Sequence, residues 1–359
     1  MSRLVVACAV LLSVAGYAFV YGTGRAGPPI RSDGFSYYVY LPSWFIFHDP
    51  SLAATARDCC GGEFPSFSAI IRWPGTRRWV NAHPIGVAVM QAPFFAVAHA
   101  LTRWSNLSPD GFTLYYQHAA GLSGTFWVIA GLWVLRGLLR RHFSDAVTAA
   151  TLATLLLGTN LYHYATFDSS YSHTYSFFLF AALLDLTERW YERPAVRTSL
   201  LLGLVAGLIV LVRHPNVLFL LVFPLYRVFS LDDVRKRVAM TAEQFTRLAI
   251  GAGTATAVVL PQLAIYYAAT GRPIVSSYGS LGFNWGTPQI YGVLLSVQKG
   301  LFFWSPILLL AVAGLVMLAR SGNAARAFVV PGVIFLAIDT YIIASWWDWQ
   351  FGGSYGHRG

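Results

Sequence analysis

The chain has 359 residues, of which 56% are hydrophobic and 11% charged. Soluble domains carry about 25% charged residues, so an ordinary globular protein is excluded and a membrane is the natural solvent. The net charge of +10 is spread through short loops between apolar stretches, which is the positive-inside distribution rather than that of a nucleic-acid surface.

Residues 4–22 form the first apolar stretch, behind Arg3. With no small-residue cleavage site before the next polar stretch, it reads as a retained span, not a signal peptide. Residues 23–112 make the longest loop. It holds Asp33 ahead of Tyr37, Tyr38 and Tyr40, the adjacent Cys59 and Cys60, and an apolar stretch at 84–102 entered through His83 and bent by Pro84 and Pro93. Three cysteines make no disulfide framework; Cys59 and Cys60 are a strained vicinal disulfide, a partner-binding pair or unpaired thiols. Further apolar stretches follow at 113–135, 146–165, 172–190, 248–270, 301–319 and 327–347, each near the roughly 20 residues a span needs. The stretch 198–230 is interrupted at Arg213-His214-Pro215-Asn216 and reads as two short spans of about 15 residues each. No Walker-type loop is present, and Gly251-Ala252-Gly253 lies inside an apolar stretch without a third glycine, so no nucleotide-binding domain is expected.

The side of each loop follows from its arginines. If 84–102 is a re-entrant or interfacial hairpin, the cytoplasmic segments hold 14 basic residues, including Arg136, Arg140, Arg141, Arg189, Arg193, Arg197, Arg235, Lys236, Arg237 and Arg247. Beyond residue 112 the opposite side then holds only Arg213, Arg272, Lys299 and Arg358. A full crossing at 84–102 inverts this asymmetry, against the positive-inside rule. The expected fold is therefore an all-α polytopic membrane protein. It is a single transmembrane domain over 1–359 with about nine spans, the amino terminus inside, and a long outer loop, 23–112, carrying interfacial helices. The sequence stops at Gly359 directly after a dense polar motif, and a natural chain can continue beyond it.

Nearly every polar constellation then falls on the outer side. Asp33 can deprotonate an acceptor hydroxyl while Tyr37 and Tyr38 offer flat faces to a sugar ring; it can equally be a turn residue ahead of an interfacial helix, with the tyrosines as a membrane belt. His83 can meet a phosphate or cap the segment it opens. Asp168 and His173 can share a divalent metal, bind phosphate or sugar, or cap the following helix. Arg213, flanked by apolar residues, either faces a cavity or snorkels to headgroups. Tyr278 with Trp285, and the terminal run from Trp346 through Trp347, Tyr355 and His357 to Arg358, supply indoles, close backbone approach and a guanidinium fork. Asp185 and Asp339, inside spans, are expected to satisfy interhelical hydrogen bonds.

The order and shared sidedness of these motifs resemble the glycosyltransferase C superfamily, polytopic enzymes that use polyprenyl-phosphate sugars and include protein O-mannosyltransferases and aminoarabinose transferases acting on lipid A. Asp33 stands where that family has its catalytic aspartate. His83-Pro84 to Phe95 resembles its juxtamembrane segment, with histidine where lysine is usual, and Asp168 matches a second acidic residue of some members. Gly158-Thr159-Asn160, Ser172-His173, Leu211 to Asn216 and Trp347 to Arg358 are similar to a bacterial branch, which implies the bacterial inner (cytoplasmic) membrane with a periplasmic active face. The resemblance implies inverting transfer of a sugar from a polyprenyl-phosphate donor to a glycan, lipid or protein acceptor. Asp33 is then the general base, and His83, Arg213 and Arg358 hold the donor phosphate, with Arg72, Arg77 and Arg78 as competitors. Tyr37, Tyr38, Asp168, His173, Tyr278, Trp347, Tyr355 and His357 contact the substrates. No cofactor is required by it; a divalent metal is left open. A lipid or glycan transporter and a non-catalytic subunit that binds a lipid-linked glycan are the competing readings. The lack of an internal repeat and the placing of polar clusters at one end of the spans favour an enzyme.

Overall fold

The computed structural model describes residues 1–24, 26–275, 282–352 and 355–356. It is mostly helical, in chain order α1 (Ser2–Gly22), α2 (Asp33–Tyr38), α3 (Tyr40–Phe45), α4 (Ala53–Cys60), α5 (Gly86–Arg103), α6 (Leu114–His142), α7 (Asp145–Leu157), α8 (Leu161–Thr166), α9 (Ser172–Glu192) and α10 (Val196–Val212). A 3-10 helix, His214–Leu221, leads into α11 (Val222–Leu225), then α12 (Leu231–Glu243), α13 (Phe245–Thr270), α14 (Ile290–Leu295), α15 (Leu301–Trp304), α16 (Leu308–Ala319), a 3-10 turn at Ala324–Phe328, and α17 (Val329–Ser345). Strands β1 (Ile70–Arg72) and β2 (Trp79–Asn81) pair antiparallel, Ile71 opposite Val80, across the Trp73-Pro74-Gly75 turn. That small ladder was not expected from hydropathy.

Among the described residues four helices are long and apolar enough to cross a membrane: α1, α6, α13 and the 324–345 segment that includes α17. Four shorter apolar helices accompany them: α7, α10, the His214–Leu225 segment and α16. The chain thus has the apolar helices of a membrane protein. At 1.5 Å per residue the 13 residues of α7 span about 20 Å, short of the roughly 30 Å hydrocarbon core. Helix α9 has 21 residues, but its last two turns carry Asp185, Glu188, Arg189 and Glu192.

The helices run alternately, so the bundle has two chemically distinct ends. At one, charges knit the elements together. Arg141 bridges Asp185 and Glu188 at 2.8 Å each, Arg189 meets Asp185 at 2.7 Å, and Asp145 takes the terminal amine at 2.8 Å. Asn323 donates to the His142 carbonyl at 2.9 Å, tying α17's start to α6's end. Asp185 is held between helices, as its position within a span led us to expect.

The other end gathers the close of α1, α8, α10, α13 and α17 with the start of α6 and α9. Tyr21 donates to the Phe167 carbonyl, Gln117 accepts from Ile30 N–H at 2.9 Å, and Ser345 carbonyl accepts from Asn284 N–H at 2.6 Å. Residues 84–102 differ from the expected hairpin. They form one continuous helix, α5, despite Pro93. Its start presses on the α10 end, where a Cβ on Gly86 would overlap the Leu211–Val212 backbone. Its far end meets the first turn of α6, with His99 Nδ1 2.6 Å from the Tyr116 hydroxyl. Between these points α5 runs along the amino-terminal half of α6, Trp127 Nε1 donating to the Met90 carbonyl at 3.2 Å and the Phe94 ring lying 5.3 Å from Phe126. Cys59 and Cys60 close helix α4, their sulfurs 2.7 Å apart.

Candidate functional site

Two apolar stretches that read as continuous, 146–165 and 301–319, are broken in the structure, and their breaks meet the one already read at Arg213 to Asn216. Helix α7 stops at Gly158, and Thr159 and Asn160 lead into α8. Helix α10 stops at Arg213, which is extended (φ −161°, ψ 117°) ahead of Pro215, whose missing N–H cannot continue the helical ladder. Helices α15 and α16 are separated by Ser305 and Pro306. Thr159, Asn160, His173, Arg213, Asn216 and Ser305 together line one cleft of about 320 Å³. Backbone freed at helix breaks is tolerated at membrane depth only where it lines a cavity or is covered by protein, so the cleft and the breaks account for one another.

The cleft walls are anchored from several elements. Asn216 donates to Ser176 Oγ at 2.9 Å, fixing the 3-10 turn against α9. The Arg213 guanidinium lies 5.8 Å from the Phe351 ring centroid, and Asp339 of α17 is near enough to act on it electrostatically. The His173 ring packs at 4.4 Å on Tyr164.

Beside the cleft, Asp168 is buried at 7% exposure. Its Oδ1 accepts from Arg31 Nη2 at 3.2 Å and its Oδ2 pairs with His163 Nε2 at 3.0 Å. Burial works to raise this carboxyl, but the hydrogen bond and charge of His163, with Arg31, outweigh it and hold Asp168 below the usual carboxylate range. The same guanidinium donates to the Phe167 carbonyl at 3.1 Å and covers the Phe167 ring at 4.1 Å. Asp168 is thus occupied by Arg31 and His163, and the histidine on its Oδ2 is His163, not His173. A metal shared by Asp168 and His173 finds no support in this pairing; among the described residues no group of three or more His, Cys, Asp or Glu could hold a metal ion. His163 in turn stacks on Tyr355 at 5.2 Å, and Tyr355 meets Trp304 edge-on at 5.1 Å. Tyr355 is thereby carried beside the cleft.

Asp33 opens α2 and is half-buried. The preceding Ser32 is strained (φ 46°, ψ −129°), an arrangement that persists only when the surroundings impose it. The reason is next door: a Cβ on Gly34 would overlap the Ser170 hydroxyl, so α2 sits directly on the loop that carries Asp168. One turn later the Tyr37 ring meets the His83 ring edge-on at 4.3 Å. The His83 carbonyl accepts from Tyr40 Oη at 2.8 Å, and its N–H donates to Asn81 Oδ1 at 3.0 Å. Because Gly86 touches Leu211 and Val212, His83 and Arg213 lie on neighbouring stretches of chain.

Two expected substrate contacts fall elsewhere. Tyr38 is 1% exposed and donates to the Gly111 carbonyl at 2.6 Å, a packing role among Phe95 and Phe112. Trp347 is exposed beyond α17, its N–H on the Gly282 carbonyl at 3.2 Å, away from the cleft lining. Tyr278, His357 and Arg358 lie outside the described residues. His163, Arg31, Asn216 and Ser305 were not singled out as site residues from sequence, His163 and Ser305 because each sits inside an apolar run. Comparison with known protein families, curated proteins and solved structures finds no match.

Proposed function

We propose that this chain is a membrane glycosyltransferase that moves a sugar from a polyprenyl phosphate to an acceptor hydroxyl or amine at the non-cytoplasmic face. The observation that carries the reading is the meeting of three helix breaks around a cleft bearing Arg213 and His173, with Asp33 set on the adjoining Asp168 loop. Nine crossings follow if α7–α8, α9, α10, the His214–Leu225 segment and α15–α16 are each counted as one span. The charged end, with Arg136, Arg140 and Arg141, then faces the cytoplasm.

In this reaction Asp33 takes the acceptor proton, and the acceptor oxygen or nitrogen attacks the anomeric carbon. The bond from that carbon to the phosphate oxygen breaks with its electron pair going to the phosphate. Attack opposite the departing group inverts the anomeric centre. Arg213, preorganised by its extended backbone, offsets the charge building on the leaving phosphate, with His83 on the adjoining stretch. Asp168, already neutralised, positions His163, whose ring with Tyr355 and Trp304 offers a flat wall to a sugar.

The test is purified protein in liposomes with a polyprenyl-phosphate sugar, scoring release of polyprenyl phosphate. Asp33→Asn is expected to insert and fold normally and to lose release by at least about 10²-fold, the scale of general-base catalysis. Undiminished release removes Asp33 as the base; movement of intact donor across the bilayer without bond cleavage makes the protein a transporter.

A further inference from the structure

A second groove lies toward the charged end of the bundle, between α9, α10, α11 and α13, and its volume is also about 320 Å³. Helices α10 and α13 touch through Gly203, where a Cβ would overlap the Gly251 carbonyl. Around that contact Ala206, Ala252 and Ala255 leave the surface shallow, while Trp190 and Phe223 form its wall. Among the described residues Arg247 is the only charged one lining it. Arg247 gives one N–H to Gln244 Oε1 at 2.7 Å, but its Nε is buried without a hydrogen-bond partner, and it makes no ion pair among the described residues. Arg237 stands one ring away, over Tyr191 at 4.2 Å, and Tyr191 packs on Phe223 at 5.3 Å. It has no ion pair among the described residues, but its Nη2 donates to the Tyr226 carbonyl and its Nη1 meets Met240 Sδ at 3.4 Å, so it is held outside the groove. The nearby Asp232 and Asp233 are engaged by Arg235 at 3.1 Å and Lys236 at 4.0 Å.

We infer that this groove holds an anionic glycerophospholipid, one acyl chain along α10 and α13 and its phosphate at Arg247. An apolar slot whose lining carries the Arg247 guanidinium, with no ion pair among the described residues, asks for a ligand with an apolar body and an anionic head, and guanidinium forks onto phosphate are the geometry arginine is suited to. The neighbouring α12 fits the same surface. Leu231, Val234 and Val238 are 81%, 45% and 68% exposed at helical spacing of one face, beside Arg235 and Lys236, the make-up of a helix lying in a bilayer interface. The inference rests on the membrane reading and not on glycosyl transfer.

Native mass spectrometry of the full chain in mild detergent, titrated with phosphatidylglycerol and phosphatidylcholine, tests it. Phosphatidylglycerol is expected to bind roughly tenfold or more tightly, Arg247→Gln to remove that preference, and Ala252→Trp to weaken both lipids by filling the slot. A phosphatidylglycerol with a photoreactive acyl chain should label wild-type protein on α10 and α13. Equal affinity for the two lipids, labelling confined to other helices, or displacement of phosphatidylglycerol by equimolar polyprenyl phosphate each overturns the assignment. Loss of transfer activity in Asp33→Asn leaves all of these readouts unchanged, so the two proposals fail separately.

Discussion

Replacing Asp168 by Asn probes the clamp that sets the loop under Asp33. The carboxylate is nearly buried, while Arg31 and His163 are about one-fifth exposed, at 20% and 22%. A charge-assisted hydrogen bond contributes about 1.5–3 kcal/mol, and breaking a fully buried pair costs about 3–5 kcal/mol. Because both partners retain some water, the expected loss is about 2–3 kcal/mol, and Arg31→Gln with Asp168→Asn should show a coupling of about 1–2 kcal/mol. Equilibrium unfolding in mixed micelles, followed by tryptophan fluorescence, measures all four members of the cycle. The pH dependence has a definite sign. The folded carboxyl is depressed, so its contribution is fully present above the unfolded value near pH 4 and is lost as pH falls through the lower folded value. The gap between wild type and Asp168→Asn should therefore close in acid, below about pH 4. Additive single changes, or a gap that widens in acid, would refute the clamp.

Gly86→Ala forces α5 away from the Leu211–Val212 backbone and should cost more than about 2 kcal/mol, the scale of overpacking at a rigid contact; the same unfolding assay reads it. Arg213→Gln should leave the fold intact and lower transfer about 10²-fold or more at saturating acceptor, the loss typical of one group stabilising a developing anion. Reporter fusions after Arg141 and after Arg272 should appear on opposite sides of the membrane. The same side for both would break the span count. Asp49 accepts from Ala54 N–H at 2.7 Å and Ser51 N–H at 2.8 Å, so Asp49→Ala should cost about 1 kcal/mol, as for other helix-start acceptors, seen as a lower unfolding midpoint.

Much of the architecture was legible because one signal dominates it. Apolar length and arginine placement are properties of local sequence, and the alternation of the helices follows from them. The helix breaks were partly legible. Arg213-His214-Pro215-Asn216 announces itself by charge and proline, whereas Gly158-Thr159-Asn160 and Ser305-Pro306 are small interruptions that hydropathy averages away. The partner of Asp168 could not be read from spacing. His163 and His173 each stand five residues from it, and only the turn after α8 decides that His163 faces it. Tyr38 and Tyr37 show the same limit, since adjacent helical residues face different sides and only packing chooses which one reaches His83. The continuity of α5 through Pro93 was missed because a proline inside a helix can bend it without ending it.

The most direct test is an experimental structure of the full chain with a non-cleavable polyprenyl-phosphonate sugar. The account predicts the phosphonate against Arg213 inside the cleft of the three helix breaks, and the Asp33 carboxylate on the opposite side of the anomeric carbon. A phosphonate lodged at the arginine-rich end, or packed side chains separating Asp33 from the sugar, would contradict it.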